Sequence, residues 1–98
     1  MDKVYIVYAY GGEYDSAFNE NIKAFFYEED AEAFQDDLAS KLAELKEKVK
    51  NLRKEQSQYT PLSSESRAIF NKIVEAWEEY SDVSETIDGY DIEDLELI

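Results

Sequence analysis

After Lys3, the segment to Tyr10 (KVYIVYAY) is apolar or aromatic throughout, with Val4, Ile6, Tyr8 and Tyr10 in one alternating row and Tyr5, Val7 and Ala9 in the other. β-branched and aromatic side chains suit a pleated surface, so residues 3–10 are expected to form a strand. With both rows apolar, the strand is central, or it is covered by a helix on one face and shows tyrosines on the other. Gly11-Gly12 breaks the pattern, and the polar stretch Glu13 to Asn21 reads as a loop or as ragged strand ends. Ile22 to Tyr27 (IKAFFY) then reads as a second strand, antiparallel to the first.

The period changes at Glu28. Ala31, Phe34, Leu38, Leu42, Leu45, Val49 and Leu52 recur at spacings of three and four, one narrow helical stripe over residues 29–56. Glu28, Glu29, Asp30 and Glu32 crowd its start and Lys48, Lys50, Arg53 and Lys54 its end, matching the helix macrodipole. At 1.5 Å per residue such a helix runs roughly 40 Å, longer than a domain of this size needs for its own core. Thr60-Pro61 offers a cap followed by a first-turn proline, and a second helix is expected over 61–80. Its face of Leu62, Ile69, Phe70, Ile73, Trp77 and Tyr80, anchored by Trp77, can pack antiparallel on the Leu42–Leu52 stripe. Asp88-Gly89 between short alternating runs signals a hairpin joining strands 83–87 and 90–97. The expected fold is a single α+β domain over 1–98, an antiparallel three- or four-stranded sheet packed against a helical hairpin. The same leucine stripe leaves a homodimeric coiled coil, and hence a helical oligomerisation or scaffold module, as an alternative.

Composition supports one folded core. The chain has 98 residues, 44% apolar and 14% aromatic, and its eight Tyr, five Phe and one Trp oppose the disorder that acidic composition favours. There is no Cys, so no disulfide framework and no need of an oxidising compartment; a cytoplasmic location in a host cell is expected. The apolar run at the N-terminus is too short to span a bilayer.

Charge is distributed in blocks: −8 over residues 1–40, +4 over 41–72 and −10 over 73–98, for a net charge of −14. From Ile73 onward there are ten carboxylates and no Lys, Arg or His. Such a chain repels nucleic acid and anionic membranes and favours a basic protein surface.

Reactive constellations are scarce. Without His or Cys the imidazole base, the imidazole metal ligand and the thiolate nucleophile are all missing. The carboxylate pairs Asp36-Asp37 and Glu93-Asp94 read as solvated surface, since acid–base work needs a cleft and a raised pKa. Asp88, Asp91, Glu93 and Asp94 (DGYDIED) place hard oxygens close together, but the glycine is second where a calcium loop has it sixth, and no glutamate closes the loop. Gly11-Gly12 lacks the frame of a phosphate cradle. The cluster Lys46, Lys48, Lys50, Arg53 and Lys54 alternates with Glu44, Glu47 and Glu55, as a solvated helix end does. No enzyme activity, cofactor or metal is expected.

The acids remain. Carboxylates at i and i+4 on a helix lie about 6 Å apart and at i and i+2 on a strand about 7 Å apart, near the phosphate spacing of a nucleic-acid strand. Glu32 and Asp36 show the helical case. Glu75, Glu78, Glu79 and Asp82 on the second helix and Asp91, Glu93, Asp94 and Glu96 on the last strand are the candidate partner-binding residues. Tyr5, Tyr14, Tyr27 and Tyr90 would add rigid aromatic contacts to Arg planes where exposed.

A chain opening KVYIVYAYGGEY, followed by a second strand and a helix entered through Glu-Glu-Asp-Ala-Glu, resembles the small accessory proteins of phages and mobile elements over its first 40 residues. Several of these are acidic inhibitors of host nucleases, including anti-CRISPR and anti-restriction proteins that imitate nucleic acid. The resemblance implies an inhibitor of a basic nucleic-acid-handling protein such as a host nuclease or CRISPR effector. The lysine-bearing middle helix departs from a uniformly acidic mimic and leaves room for recognition by shape or mixed charge.

Overall fold

The apolar run after Lys3 becomes the central strand of a three-stranded antiparallel sheet. A computed structural model, describing residues 2–13 and 17–97, gives the order β1 (Lys3–Gly11), β2 (Phe18–Phe25), α1 (Glu28–Gln56), α2 (Ser64–Glu79) and β3 (Ile87–Glu96). Strand order is β2-β1-β3 with both pairings antiparallel, so the fold is α+β. The chain divides into two compact units: a sheet unit of residues 1–40 and 86–98, and a helical unit of residues 41–85.

In the sheet unit, residues opposite one another across the ladder share a face. Tyr5, Val7 and Ala9 face the same way as Phe25, Lys23, Ile92 and Tyr90. This side carries the core: Val7, Ala9 and Tyr90 are buried, as are Ala31 and Leu38 on the first part of α1. The Phe25 and Phe34 rings meet at 5.3 Å, and Gln35 Nε2 donates to the Tyr90 carbonyl oxygen at 2.8 Å, which fixes this part of α1 on that face. Val4, Ile6, Tyr8 and Tyr10 line the other face, half-buried except for exposed Tyr10. Helix on one side and tyrosines on the other is what the two apolar rows of β1 imply.

In the helical unit, the remainder of α1 and α2 run antiparallel. Gln56 Nε2 donates to the Ser66 carbonyl oxygen at 3.0 Å at one end, and Lys48 pairs with Glu79 at 2.8 Å and Lys41 with Asp82 at 3.4 Å toward the other. Leu42, Leu45, Val49, Ile69, Ile73, Ala76 and Val83 are its buried apolar residues. Fully burying side chains such as Leu45 and Val49 is worth about 1.5–3 kcal/mol each, so the leucine stripe is consumed in the chain's own core.

Four expectations are corrected. The second strand is Phe18–Phe25, not 22–27, because backbone pairing with β1 needs no apolar side chains and draws in Asn19, Glu20 and Asn21; Ile22 is the extra residue of a bulge opposite Val7 and Tyr8. The second helix begins at Ser64, not residue 61. Leu62 takes a left-handed φ of 71°, which no helix continues through, and Ser63 caps instead, its Oγ accepting from the Ser66 N–H at 3.1 Å. No strand forms over 83–87 and Asp88-Gly89 makes no hairpin: β3 pairs with β1 along one long ladder in which Asp88 is a bulge residue. Trp77 is 39% exposed and does not anchor the helix; Ile69, Ile73 and Ala76 hold that place. Tyr90, a candidate contact only where exposed, is buried on the helix-covered face and drops out of that set.

Candidate functional site

The candidate acids fall into two groups that their elements treat differently. On β3, strand alternation splits them. Asp91 lies opposite Tyr8 and Glu93 opposite Ile6 on the open face, whereas Asp94 lies opposite Tyr5 and Glu96 opposite Lys3 on the covered side. Asp94 is paired with Lys3 at 3.1 Å, and its hydrogen bond and charge hold the Lys3 ammonium above the ordinary lysine pKa, against a smaller desolvation effect. Asp91 accepts from the Ile92 N–H at 2.8 Å and stands 3.5 Å from the Tyr8 hydroxyl, at the outer limit of a hydrogen bond. Partial burial raises the Tyr8 pKa, followed by the charge and hydrogen bond of Asp91 and the charge of Glu93.

On α2, Glu75, Glu78 and Glu79, with Asp82 just beyond its end, recur at helical spacing on the exposed side opposite Ile69, Ile73 and Ala76. Two of the four are neutralised. Glu79 takes Lys48, whose pKa it raises through a hydrogen bond first and its charge second, and Asp82 takes Lys41. Glu75 and Glu78 form no ion pair among the described residues.

Folding sorts the charge further. The sheet unit contains fifteen acids and two bases, a net −13, while the helical unit contains nine acids and eight bases, a net −1. The acidic block after Ile73 is thus divided, half of it set among the basic residues of α1 and half added to an already acidic sheet. Both bases of the sheet unit, Lys3 and Lys23, lie on the covered face; Lys23 Nζ sits 5.3 Å from the Phe25 ring centre and 5.6 Å from that of Phe34.

Glu85 was not singled out by the sequence, because it falls in no row. The Arg53 guanidinium donates to both its carboxylate oxygens, at 3.0 and 3.4 Å, and the Trp77 indole N–H donates to one of them. It is a structural clasp within the helical unit. Among the proposed aromatic contacts, Tyr27 is exposed, Tyr5 is half-buried on the covered side, and Tyr14 lies outside the described residues. Tyr8 and Tyr10 are the tyrosines of the open face; their alternation with Tyr5, Val7 and Ala9 was the signal for them.

Among the described residues no three acids gather as a metal-holding group, and Asp88 to Asp94 sit on an extended strand that sends alternate carboxylates to opposite faces. Among those residues, too, no helix is long and apolar enough to cross a membrane. Comparison with known protein families, characterised proteins and solved structures finds no match.

Proposed function

We propose that this protein is a non-catalytic inhibitor that binds a basic nucleic-acid-handling protein of its host cell, in the manner of anti-restriction and anti-CRISPR proteins. The carrying observation is the charge segregation: a net −13 is gathered in the sheet unit, whose two bases lie on its covered face. A field of that sign repels nucleic acid, draws a basic groove toward it and accelerates encounter. Carboxylates at strand and helix spacing then meet cations arranged for phosphates. The other use of the chain, oligomerisation through the Leu38–Leu52 stripe, has little surface to work with, since Leu38, Leu42, Leu45 and Val49 are buried.

The test is capture from bacterial lysate at about 50 mM and about 500 mM salt, with bound proteins identified by mass spectrometry and any captured nuclease assayed for cleavage. A nucleic-acid-binding enzyme retained at low salt, released at high salt and inhibited in the assay is expected. Salt-insensitive capture, or capture with undiminished cleavage, contradicts the proposal.

A further inference from the structure

The open face of the sheet has a layered composition across its three strands. Glu93, Ile6 and Ala24 form one layer, Asp91, Tyr8 and Asn21 the next, and Gly89, Tyr10 and Asn19 the third. An apolar and aromatic spine along β1 is therefore edged by carboxylates on β3 and by neutral amides on β2. Tyr10, at one end of the spine, is 41% exposed and Leu95, beside Val4 at the other, 45% exposed, while Val4, Ile6 and Tyr8 between them are half-buried. An open depression of about 430 Å³ beside it is lined by Tyr8, Asn19, Asn21, Ile92, Glu93 and Asp94.

We propose that this open face is the docking surface for an arginine-bearing segment of the partner protein, its guanidinium groups seated on the Tyr8 and Tyr10 rings and against the Asp91 and Glu93 carboxylates. The inference rests on the basic-partner reading above and adds the surface and the side chain it selects. Charge complementarity names the occupant: the face carries Asp91 and Glu93 and neither base of its unit. A second copy of the chain is disfavoured by charge, because it would bring another unit of net −13 against the first.

Arginine is favoured over lysine by geometry. Its planar fork meets carboxylates through two parallel hydrogen bonds and stacks on an aromatic face, which an ammonium does not do. The Tyr8 and Tyr10 centroids are 6.4 Å apart, and the Tyr10 ring lies over Gly89 where any Cβ would clash with it. A tyrosine side chain has only two torsions to fix, so its ordering costs little entropy on binding.

The test titrates isotope-labelled full-length protein with nona-arginine and nona-lysine at about 50 mM salt, following amide shifts. Two double variants of equal charge change are compared, D91N/E93Q on the open face and E75Q/E78Q on α2. Tyr10→Ser, which removes a ring without altering charge, is the second probe of the same face. The expected result is a loss of nona-arginine affinity of about tenfold or more for D91N/E93Q and about threefold or more for Tyr10→Ser, under about twofold for E75Q/E78Q, with weaker nona-lysine binding and shifts centred on Tyr8, Tyr10, Asp91 and Glu93. Equal losses in the two double variants, shifts centred on α2, or no binding of nona-arginine overturns the proposal. The same variants in the lysate capture separate this claim from the function itself. If D91N/E93Q still captures the target, the surface is wrong and the function stands; if the unaltered protein captures no nucleic-acid-handling protein, the function falls.

Discussion

Single side chains in this protein divide into those tied into the fold by charge pairs and hydrogen bonds and those that stand at its surface, and acids occur in both classes. Glu85 belongs to the first: it is 22% exposed as a side chain and takes both the Arg53 fork and the Trp77 indole. Replacing Glu85 by Ala should cost about 1–2 kcal/mol in denaturant unfolding, while Glu78→Ala stays within about 0.5 kcal/mol. The distinction was invisible in the sequence, where Glu85 is one more carboxylate in a run of ten, because nothing in its spacing announces Arg53. Lys3, Tyr8, Lys48 and Tyr80 are all held above their ordinary pKa values, the lysines by the hydrogen bonds they donate to Asp94 and Glu79 and the tyrosines by partial burial and then by Asp91 and Glu44. A group that keeps its proton more tightly when folded stabilises the fold below its unfolded pKa and loses that contribution as pH rises through the folded value. Stability measured against pH should therefore be level to about pH 9.5 and fall from about pH 10 upward, with tyrosinate absorbance rising over the same range. Stability that climbs through that window would contradict the assignment.

Among the elements, those with a strong period were legible and those defined by pairing were not. The two rows of β1 allowed a central strand or one covered by a helix on a single face, and the stripe from Ala31 to Val49 placed α1 almost to the residue. β2 lacks a pattern because it is an edge strand with most of its residues exposed, and its ladder hydrogen bonds come from the backbone. Asp88-Gly89 misled for a related reason. The pair has the chemistry of a hairpin turn, yet pairing along the length of β1 outweighs a local turn and turns Asp88 into a bulge. The glycines of the sheet test this account. A Cβ on Gly11 would press against the backbone oxygen of Thr86, which cannot move without the ladder, whereas one on Gly89 would press against the Tyr10 ring, which can swing. Gly11→Ala should thus lower stability by about 2 kcal/mol or more and Gly89→Ala by about half that or less, the second also shifting the ring resonances of Tyr10. Equal costs would mean that the bulge end of the sheet yields more readily than its register implies.

At the scale of the whole molecule, the sequence showed how much charge there is and the fold shows where it is kept. Linear blocks of −8, +4 and −10 become units of −13 and −1, because the chain returns to the sheet only after Glu85 and brings five further acids to β3 and its approach. Of the eight acids that the sequence marks as candidates, Glu79, Asp82 and Asp94 are spent on lysines, and Asp91 and Glu93 share the open face with Tyr8 and Tyr10. The i, i+2 rule found that pair; it could not tell which face was open, since that depends on where α1 lies. The central claim, that the acidic sheet unit receives a basic partner, is tested most directly by the association rate of the captured target with charge-reversed proteins at several salt concentrations. D91K/E93K and E75K/E78K change the net charge equally. The expected result is an association rate that falls steeply with salt for the unaltered protein and for E75K/E78K, and a rate for D91K/E93K that is at least about tenfold slower at low salt with a flattened salt dependence. A greater loss from E75K/E78K, or rates indifferent to salt in all three proteins, would contradict it.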